Sequence, residues 1–209
     1  MKKLIYLFIM LICLSPIMVH AVFIEVDLNT AGDTLITRDT ETGLDWLDLS
    51  ATINFSYEEI LIKLQQDEQY KGFRYADMAE IETLWHNAGI FDFSNTYVPE
   101  NFLPIKNFIP LIGATSSFGV FSIGIYGEQT MGGYQRTASL QYWDDIQSGK
   151  ANLIYNGILP TLASSSHGSY LVKEQNTVPE PSTFILIISG LFLSLVRKIN
   201  KVRRSYFIL

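Results

Sequence analysis

Two apolar segments, one at each end of the chain, most constrain the fold, because they limit the globular part to the residues between them. Residues 1–21 carry two lysines near the start and then an apolar stretch, Leu4–Leu14. This order is typical of a secretory signal peptide, and the small residues Val19 and Ala21 suit a signal peptidase. We therefore predict cleavage between Ala21 and Val22. An uncleaved anchor is disfavoured because the apolar stretch is too short to span a bilayer.

The second apolar segment lies near the carboxyl end, where a hydrophobic helix is predicted for residues 183–196. Its apolar part, Phe184–Val196, would span only about 20 Å as a helix, whereas a hydrocarbon core is about 30 Å thick. Residues 197–205 carry five cations and no acid. By the positive-inside rule this basic tail stays in the cytoplasm, which places residues 22–177 outside it.

A short motif precedes this helix, at residues 178–183. The order of motif, hydrophobic helix 183–196 and basic tail 197–205 resembles the PEP-CTERM sorting signal of Gram-negative bacteria that make extracellular polysaccharide, over about the last 28 residues. The resemblance implies recognition by an exosortase that cuts at or near the motif and passes the protein to the cell surface or matrix. A plain C-terminal membrane anchor is the alternative. The core of the motif consists of Val178, Pro179, Glu180 and Pro181.

The part between the two segments is acidic and, after cleavage, free of thiols. Residues 22–177 contain 20 acidic and 8 basic residues, a formal charge of −12. Such a charge argues against nucleic acid or a polyanion as a simple electrostatic partner and favours cations or neutral sugars. The single cysteine, Cys13, lies in the signal peptide, so disulfides, thiol nucleophiles and thiolate metal sites are excluded from the mature domain.

Periodicity and turn residues predict a single α+β domain over residues 22–177, with two early amphipathic helices and a small mixed or antiparallel sheet. Ser56 with Glu59 and Asp77 with Glu80 are spaced as capping boxes, and the two helices are expected to end near Tyr70 and Gly89. Two strands joined by a turn at Thr40–Gly43 are expected within Asp33–Leu49. Further strands are expected at Val120–Tyr126, Leu140–Trp143, Asn152–Tyr155 and Ser169–Lys173.

The segment Asn95–Ser117 is predicted to be irregular. Its first part, Asn95–Pro110, contains three prolines, which interrupt regular hydrogen bonding. Long irregular segments often carry function, so this one is a candidate binding loop.

A second resemblance concerns the central domain. The pattern is similar to the lectin-like domain of unknown function, distantly related to C-type lectins, that often precedes PEP-CTERM signals. This chain has Phe73 where that domain usually has tryptophan, and Lys173 where arginine is usual. The segments that carry the resemblance are Leu35–Asp39, Thr42–Asp48, Ser56–Tyr57, Gly72–Ala76 with Glu80, and Gly168–Lys173.

Residues that could carry chemistry are few. His167 follows three serines, 164–166, and a serine–histidine pair would combine a nucleophile with its base. No Gly-x-Ser-x-Gly elbow accompanies it, so a Ser/Gly-rich loop is the favoured interpretation. His86, on the second helix, is expected at the surface. With two histidines left in the mature domain, a three-histidine metal centre is excluded.

Acidic residues near one another in the sequence are of the type that binds calcium, but none has the spacing of an EF-hand loop, so solvated surface charge is favoured. Glu58 or Glu80 paired with Asp144 would suit glycoside hydrolysis. We assign no catalytic residue and no metal ligand. The acidic residues considered as calcium ligands are Asp39, Glu41, Asp45, Asp48, Asp144 and Asp145.

Aromatic residues in the second half are candidates for stacking on sugar rings, although core packing is the favoured interpretation. They are Tyr126, Tyr134, Tyr142 and Trp143.

Together these features predict an exported, non-enzymatic protein that needs no cofactor and associates with extracellular polysaccharide or the cell surface. It would meet signal peptidase, the inner membrane and an exosortase in transit. A secreted polysaccharide hydrolase is the competing hypothesis.

Overall fold

The computed structural model describes residues 22–116 and 118–175, and these form an α+β fold, as predicted. The signal peptide predicted for residues 1–21 and the sorting signal predicted for residues 178–205 lie outside the described residues, as do Ala21 and the motif from Val178 to Pro181. The helices are α1 (Tyr57–Gln66), α2 (Met78–Asn87) and α3 (Phe102–Ile112). The strands are β1 (Phe23–Val26), β2 (Ile36–Asp39), β3 (Leu44–Leu47), β4 (Arg74–Tyr75), β5 (Phe121–Gln129), β6 (Gln135–Trp143), β7 (Ser148–Asn152), β8 (Gly157–Ile158), β9 (Gly168–Ser169) and β10 (Leu171–Glu174).

The strands form two sheets rather than the one small sheet that we expected. The first has the order β1-β2-β3-β10-β4, and all its pairs are antiparallel. The last strand, β10, therefore lies between two strands from the first half of the chain. The second sheet has the order β7-β6-β5-β9, with β8 also on β6, and is mixed because β5 and β9 run parallel.

The first two helices begin where the capping boxes predicted. Ser56 and Glu59 satisfy each other's backbone N–H groups at the start of α1, and Asp77 and Glu80 do the same for α2. Both helices turn an apolar face to the core. Helix α1 ends at Gln66, and a separate 3-10 turn follows it to Tyr70.

Helix α3 was not predicted, because the three prolines of its region suggested a loop. Pro99 starts a 3-10 turn, Pro104 lies in the first helical turn where N–H groups have no intrahelical partner, and Pro110 lies in the last turn. The prolines thus remove few hydrogen bonds. The helix is held by an apolar face that is buried in the core: Phe102, Ile105, Phe108, Ile109 and Ile112.

One predicted strand was misplaced. Asn152–Tyr155 was expected to be extended, but the strand is Ser148–Asn152 and the chain turns at Leu153 and Ile154. Small and polar residues give this strand little intrinsic preference, so its place is decided by pairing with β6, where Leu140 lies opposite Ala151.

The two sheets meet through a core of large aromatic residues. Tyr170, just before β10, is fully buried and its ring makes edge contacts with Trp46 and Trp85, with centroids 6.4 and 6.5 Å away. Gly124 of β5 packs on the same ring. A Cβ at Gly124 would lie 2.4 Å from a Tyr170 ring carbon, so only glycine lets the second sheet approach this closely.

The described chain begins and ends at the same turn of the first sheet. The Val22 amide donates to Thr40 Oγ1 (3.1 Å), and its carbonyl accepts from the Thr40 amide (3.2 Å). The Gln175 amide donates to the Gly43 carbonyl at 3.1 Å. Both ends of the domain therefore leave from the β2–β3 turn. Within residues 22–116 and 118–175, no helix combines the length and the apolar content needed to cross a bilayer.

Candidate functional site

The serine–histidine pair forms, but within a single loop. Ser164 Oγ lies 2.8 Å from His167 Nδ1, and Ser166 Oγ lies 3.2 Å from the same nitrogen. Partial burial lowers the pKa of His167, so the ring is neutral near pH 7. Among the residues that the structure describes, no carboxylate is hydrogen-bonded to the other ring nitrogen. The contact closes the loop and lacks the third group that orients a catalytic base.

The acidic residues of the β2–β3 region do not converge on a common point. Asp39 is buried and accepts hydrogen bonds from the Glu41 amide (2.9 Å) and from the Asn87 side chain (2.8 Å). Asp45 forms a bidentate ion pair with Arg38 at 2.7 and 3.0 Å. These two carboxylates are occupied by neighbouring donors, as expected of groups that hold a fold together.

Of the two remaining carboxylates of that region, Glu41 is exposed, and Asp48 caps the 3-10 turn Leu49–Thr52. Its Oδ1 accepts from the Ser50 amide at 2.7 Å, and burial raises the pKa of this carboxyl group. The contacts of Asp48 thus assign it to capping this turn.

Two of the three carboxylates considered for hydrolysis, Glu80 and Asp144, also have partners. Glu80 forms a bidentate ion pair with Arg74 at 2.6 and 2.8 Å, which lowers the pKa of Glu80. Asp144 pairs with Lys106 at 2.5 Å, while Asp145 and Glu58 are exposed. In residues 22–116 and 118–175 no three His, Cys, Asp or Glu side chains are grouped as metal ligands.

His86 is exposed on α2, where we expected it. Its ring stacks on Phe91 and makes a tilted contact with Phe93, with centroids 5.4 and 5.1 Å away. These contacts show that His86 packs against the segment that follows α2.

The four aromatic candidates divide between core and surface. Tyr126 is buried, its hydroxyl donates to the Leu153 carbonyl (2.9 Å), and burial raises the pKa of its phenol to about 12. Tyr142 is half-buried against Phe102. Trp143 and Tyr134 are exposed, by 43% and 44%. Of the four rings, only those of Tyr134 and Trp143 are exposed enough to stack on a sugar.

Trp143 has a partner that sequence reasoning did not identify. The segment before α3 runs beside β7, where Val98 and Gly149 exchange two backbone hydrogen bonds at 2.9 and 3.0 Å. This pairing extends the second sheet and brings Tyr97 beside the β6 and β7 side chains. Tyr97 lies in the predicted binding loop, and that was the only sequence signal that pointed to it.

Three side chains form a hydrogen-bonded chain at this sheet edge, which we call the Trp143 cluster: Tyr97, Gln141 and Trp143. The Trp143 indole donates to the Tyr97 hydroxyl (2.8 Å), which donates to Gln141 Oε1 (2.7 Å). An indole N–H can only donate, so the Tyr97 hydroxyl must give its own proton to an oxygen. Because the Gln141 oxygen accepts from Tyr97, the NH₂ group of the same amide makes no hydrogen bond to Tyr97.

Strand register shows why the cluster is exposed. Gln141 and Trp143 lie on the face of β6 opposite to the core residues Ala138 and Leu140. Near the start of β6 this face is covered by the segment after β7, where the Thr137 hydroxyl donates to the Asn156 carbonyl at 2.9 Å. Exposure then increases along β6, and the strand ends at the exposed Trp143. An aromatic ring with an exposed face beside oriented polar groups is suited to binding a sugar.

Comparison with known proteins finds no matching family model, no matching curated protein and no matching solved structure.

Proposed function

We propose that residues 22–177 form an exported, non-enzymatic domain that binds extracellular polysaccharide and is delivered by an exosortase-type system. The proposal combines the two terminal signals of the sequence with the Trp143 cluster. The cluster carries the binding part of the proposal, because it is exposed, aromatic and held rigid by its own hydrogen bonds. Rigid aromatic side chains lose little conformational entropy when they bind a ligand.

A lectin-like architecture is part of the proposal, and the arrangement of the motif segments supports it. The segments around Thr42–Asp48, Gly72–Ala76 and Gly168–Lys173 contribute three neighbouring strands, β3, β4 and β10. The two residues that depart from the usual pattern contact each other. The ammonium group of Lys173 lies 4.5 Å from the centroid of the Phe73 ring. A tryptophan and an arginine at these positions would form the same type of contact.

The position of the two ends of the domain supports the part of the proposal that concerns sorting. Because the domain begins and ends at the β2–β3 turn, a signal peptide and a sorting signal would both leave from one end of the first sheet. A domain of this design could be held at a membrane by either segment without unfolding.

The binding proposal is tested with the full chain, purified in detergent, on an array of neutral and acidic glycans with and without calcium. Trp143→Ala removes the exposed ring and is expected to weaken binding about tenfold or more, as for aromatic hot spots. Tyr134→Ala removes a ring of equal exposure elsewhere and is the matched control, expected to bind as the natural protein does.

Binding that survives Trp143→Ala, or no binding to any glycan, would contradict the proposal. Polysaccharide degradation is measured on the same samples. Turnover that depends on a single carboxylate would favour the competing hydrolase.

The contact between Ser164 and His167 is the one observation that favours a hydrolase. If it were catalytic, a fluorophosphonate probe would label Ser164, and His167→Gln would abolish the labelling. We expect no labelling, since the pair lacks an orienting acid among the described residues.

A further inference from the structure

Two polar groups on the same face as the Trp143 cluster offer hydrogen-bond donors, which constrains the ligand. Gln141 Oε1 is occupied by Tyr97, so the amide offers its NH₂ group. Lys150 lies opposite Gln141 on β7, on the same face of the sheet, and its ammonium group is 4.9 Å from the Tyr97 ring centroid. In the described part of the chain Lys150 forms no ion pair, and it is half-buried.

A second lysine, Lys106, also lies over aromatic rings but differs from Lys150 in having an acidic partner. Its ammonium group is 5.4 Å from the centroid of Phe102 and 5.8 Å from that of Tyr142, but it is neutralised by Asp144 at 2.5 Å. Tyr142 belongs to the other face of β6, because strand residues alternate. The charge of Lys150 is therefore available to a ligand on the Trp143 face, whereas that of Lys106 is not.

From these contacts we infer that the ligand is a sugar bearing a carboxylate, a hexuronate, whose ring lies on Trp143 and whose carboxylate accepts from Lys150 and Gln141. The inference rests on the proposed carbohydrate binding and names its ligand class. An ammonium–carboxylate contact is among the stronger hydrogen bonds, and the neighbouring ring surface excludes part of the water that would weaken it. The overall negative charge of the domain opposes long polyanions, so a short or sparsely charged polymer suits the site best.

The test compares two ligands that differ in the charge of their carboxyl groups: an oligogalacturonate trimer, which is anionic, and its methyl ester, which is neutral. Binding to the detergent-purified full chain is measured by calorimetry at low and at physiological salt. We expect the free acid to bind about tenfold more tightly than the ester, and salt to reduce the difference.

Three variants test which residues cause the preference for the acid. Lys150→Met keeps the apolar stem over Tyr97 but removes the charge, and it is expected to abolish the preference for the acid. Lys106→Met, the matched control, is expected to retain it. Gln141→Glu keeps an acceptor for Tyr97 but replaces the donor with a negative charge, and it is expected to reverse the preference. Circular dichroism verifies that each variant is folded.

The outcomes separate the two levels of the proposal. Equal binding of acid and ester, or a preference that survives Lys150→Met, overturns the hexuronate inference but leaves Trp143-dependent binding standing. Failure of every glycan to bind overturns both.

Discussion

Single residues of the motif segments act mainly in the fold. Glu80 accepts from the Asp77 amide (3.0 Å) and pairs with Arg74, so one side chain both caps α2 and attaches the helix to β4. Phe73 and Lys173 face each other across two strands although they are 100 residues apart in the sequence. These motif positions therefore serve the fold, whereas the residues proposed to bind a ligand lie elsewhere.

His167 provides a residue-level prediction about pH. Burial lowers its pKa below the ordinary value of about 6.5, so the unfolded chain binds a proton more readily than the folded one. The contribution of neutral His167 to stability is therefore complete above about pH 6.5 and declines as the pH falls below it. Urea unfolding between pH 5 and 8 should show this decline, and His167→Asn should reduce it. A parallel pH dependence in both proteins would contradict the assignment to His167.

At the scale of elements, the helices differ in what defines them. Helices α1 and α2 start at capping boxes whose residues are three positions apart, which is a local signal. Helix α3 lacks a side-chain cap at Asn101 and contains prolines, yet the burial of its apolar face holds it in the core. Packing is what stabilises α3, and packing is not visible from local spacing.

The capping box of α2 gives a prediction at this scale. Asp77→Ala removes the acceptor of the Glu80 amide, a 2.8 Å contact, and is expected to lower the free energy of unfolding by about 1 kcal/mol. Thr83→Ala, on the exposed side of the same helix, is the control and is expected to change it by less than about 0.5 kcal/mol. Urea denaturation measures both, and equal effects of the two substitutions would argue against the cap.

At the scale of the whole molecule, the last strand completes the first sheet. Strand β10 lies between β3 and β4, so residues near both ends of the domain must be present before the sheet can close. The predicted sorting motif begins only three residues after Gln175. Cleavage just beyond the motif would leave every contact among residues 22–175 intact.

This geometry leads to a prediction about processing. Mass spectrometry of the protein from the surface or medium of its natural host should find Val22 at the amino end and no residues beyond the Pro-Glu-Pro motif. Substituting Glu180 by Gln should leave the tail attached and reduce the amount at the surface. Recovery of the natural protein with an intact tail in the inner membrane would support the simple anchor instead, and a cytosolic location would contradict export.

What the sequence determined by itself is local. Two capping boxes, the turn at Thr40–Gly43 and the acidic, cysteine-free composition of residues 22–177 were visible without coordinates. Each of them depends on neighbours a few positions apart or on composition alone. The α+β class followed from the same signals.

Tertiary structure decided where distant segments meet. It placed β10 inside the first sheet, buried the proline-containing α3, and brought Tyr97 to Trp143 across 46 positions. These contacts arise from strand register and core packing, which combine many weak preferences over the whole domain. No short spacing in the sequence encodes them. For that reason Gln141 and Lys150 became candidates only in the folded protein, whereas Tyr97 was predicted only as part of a binding loop.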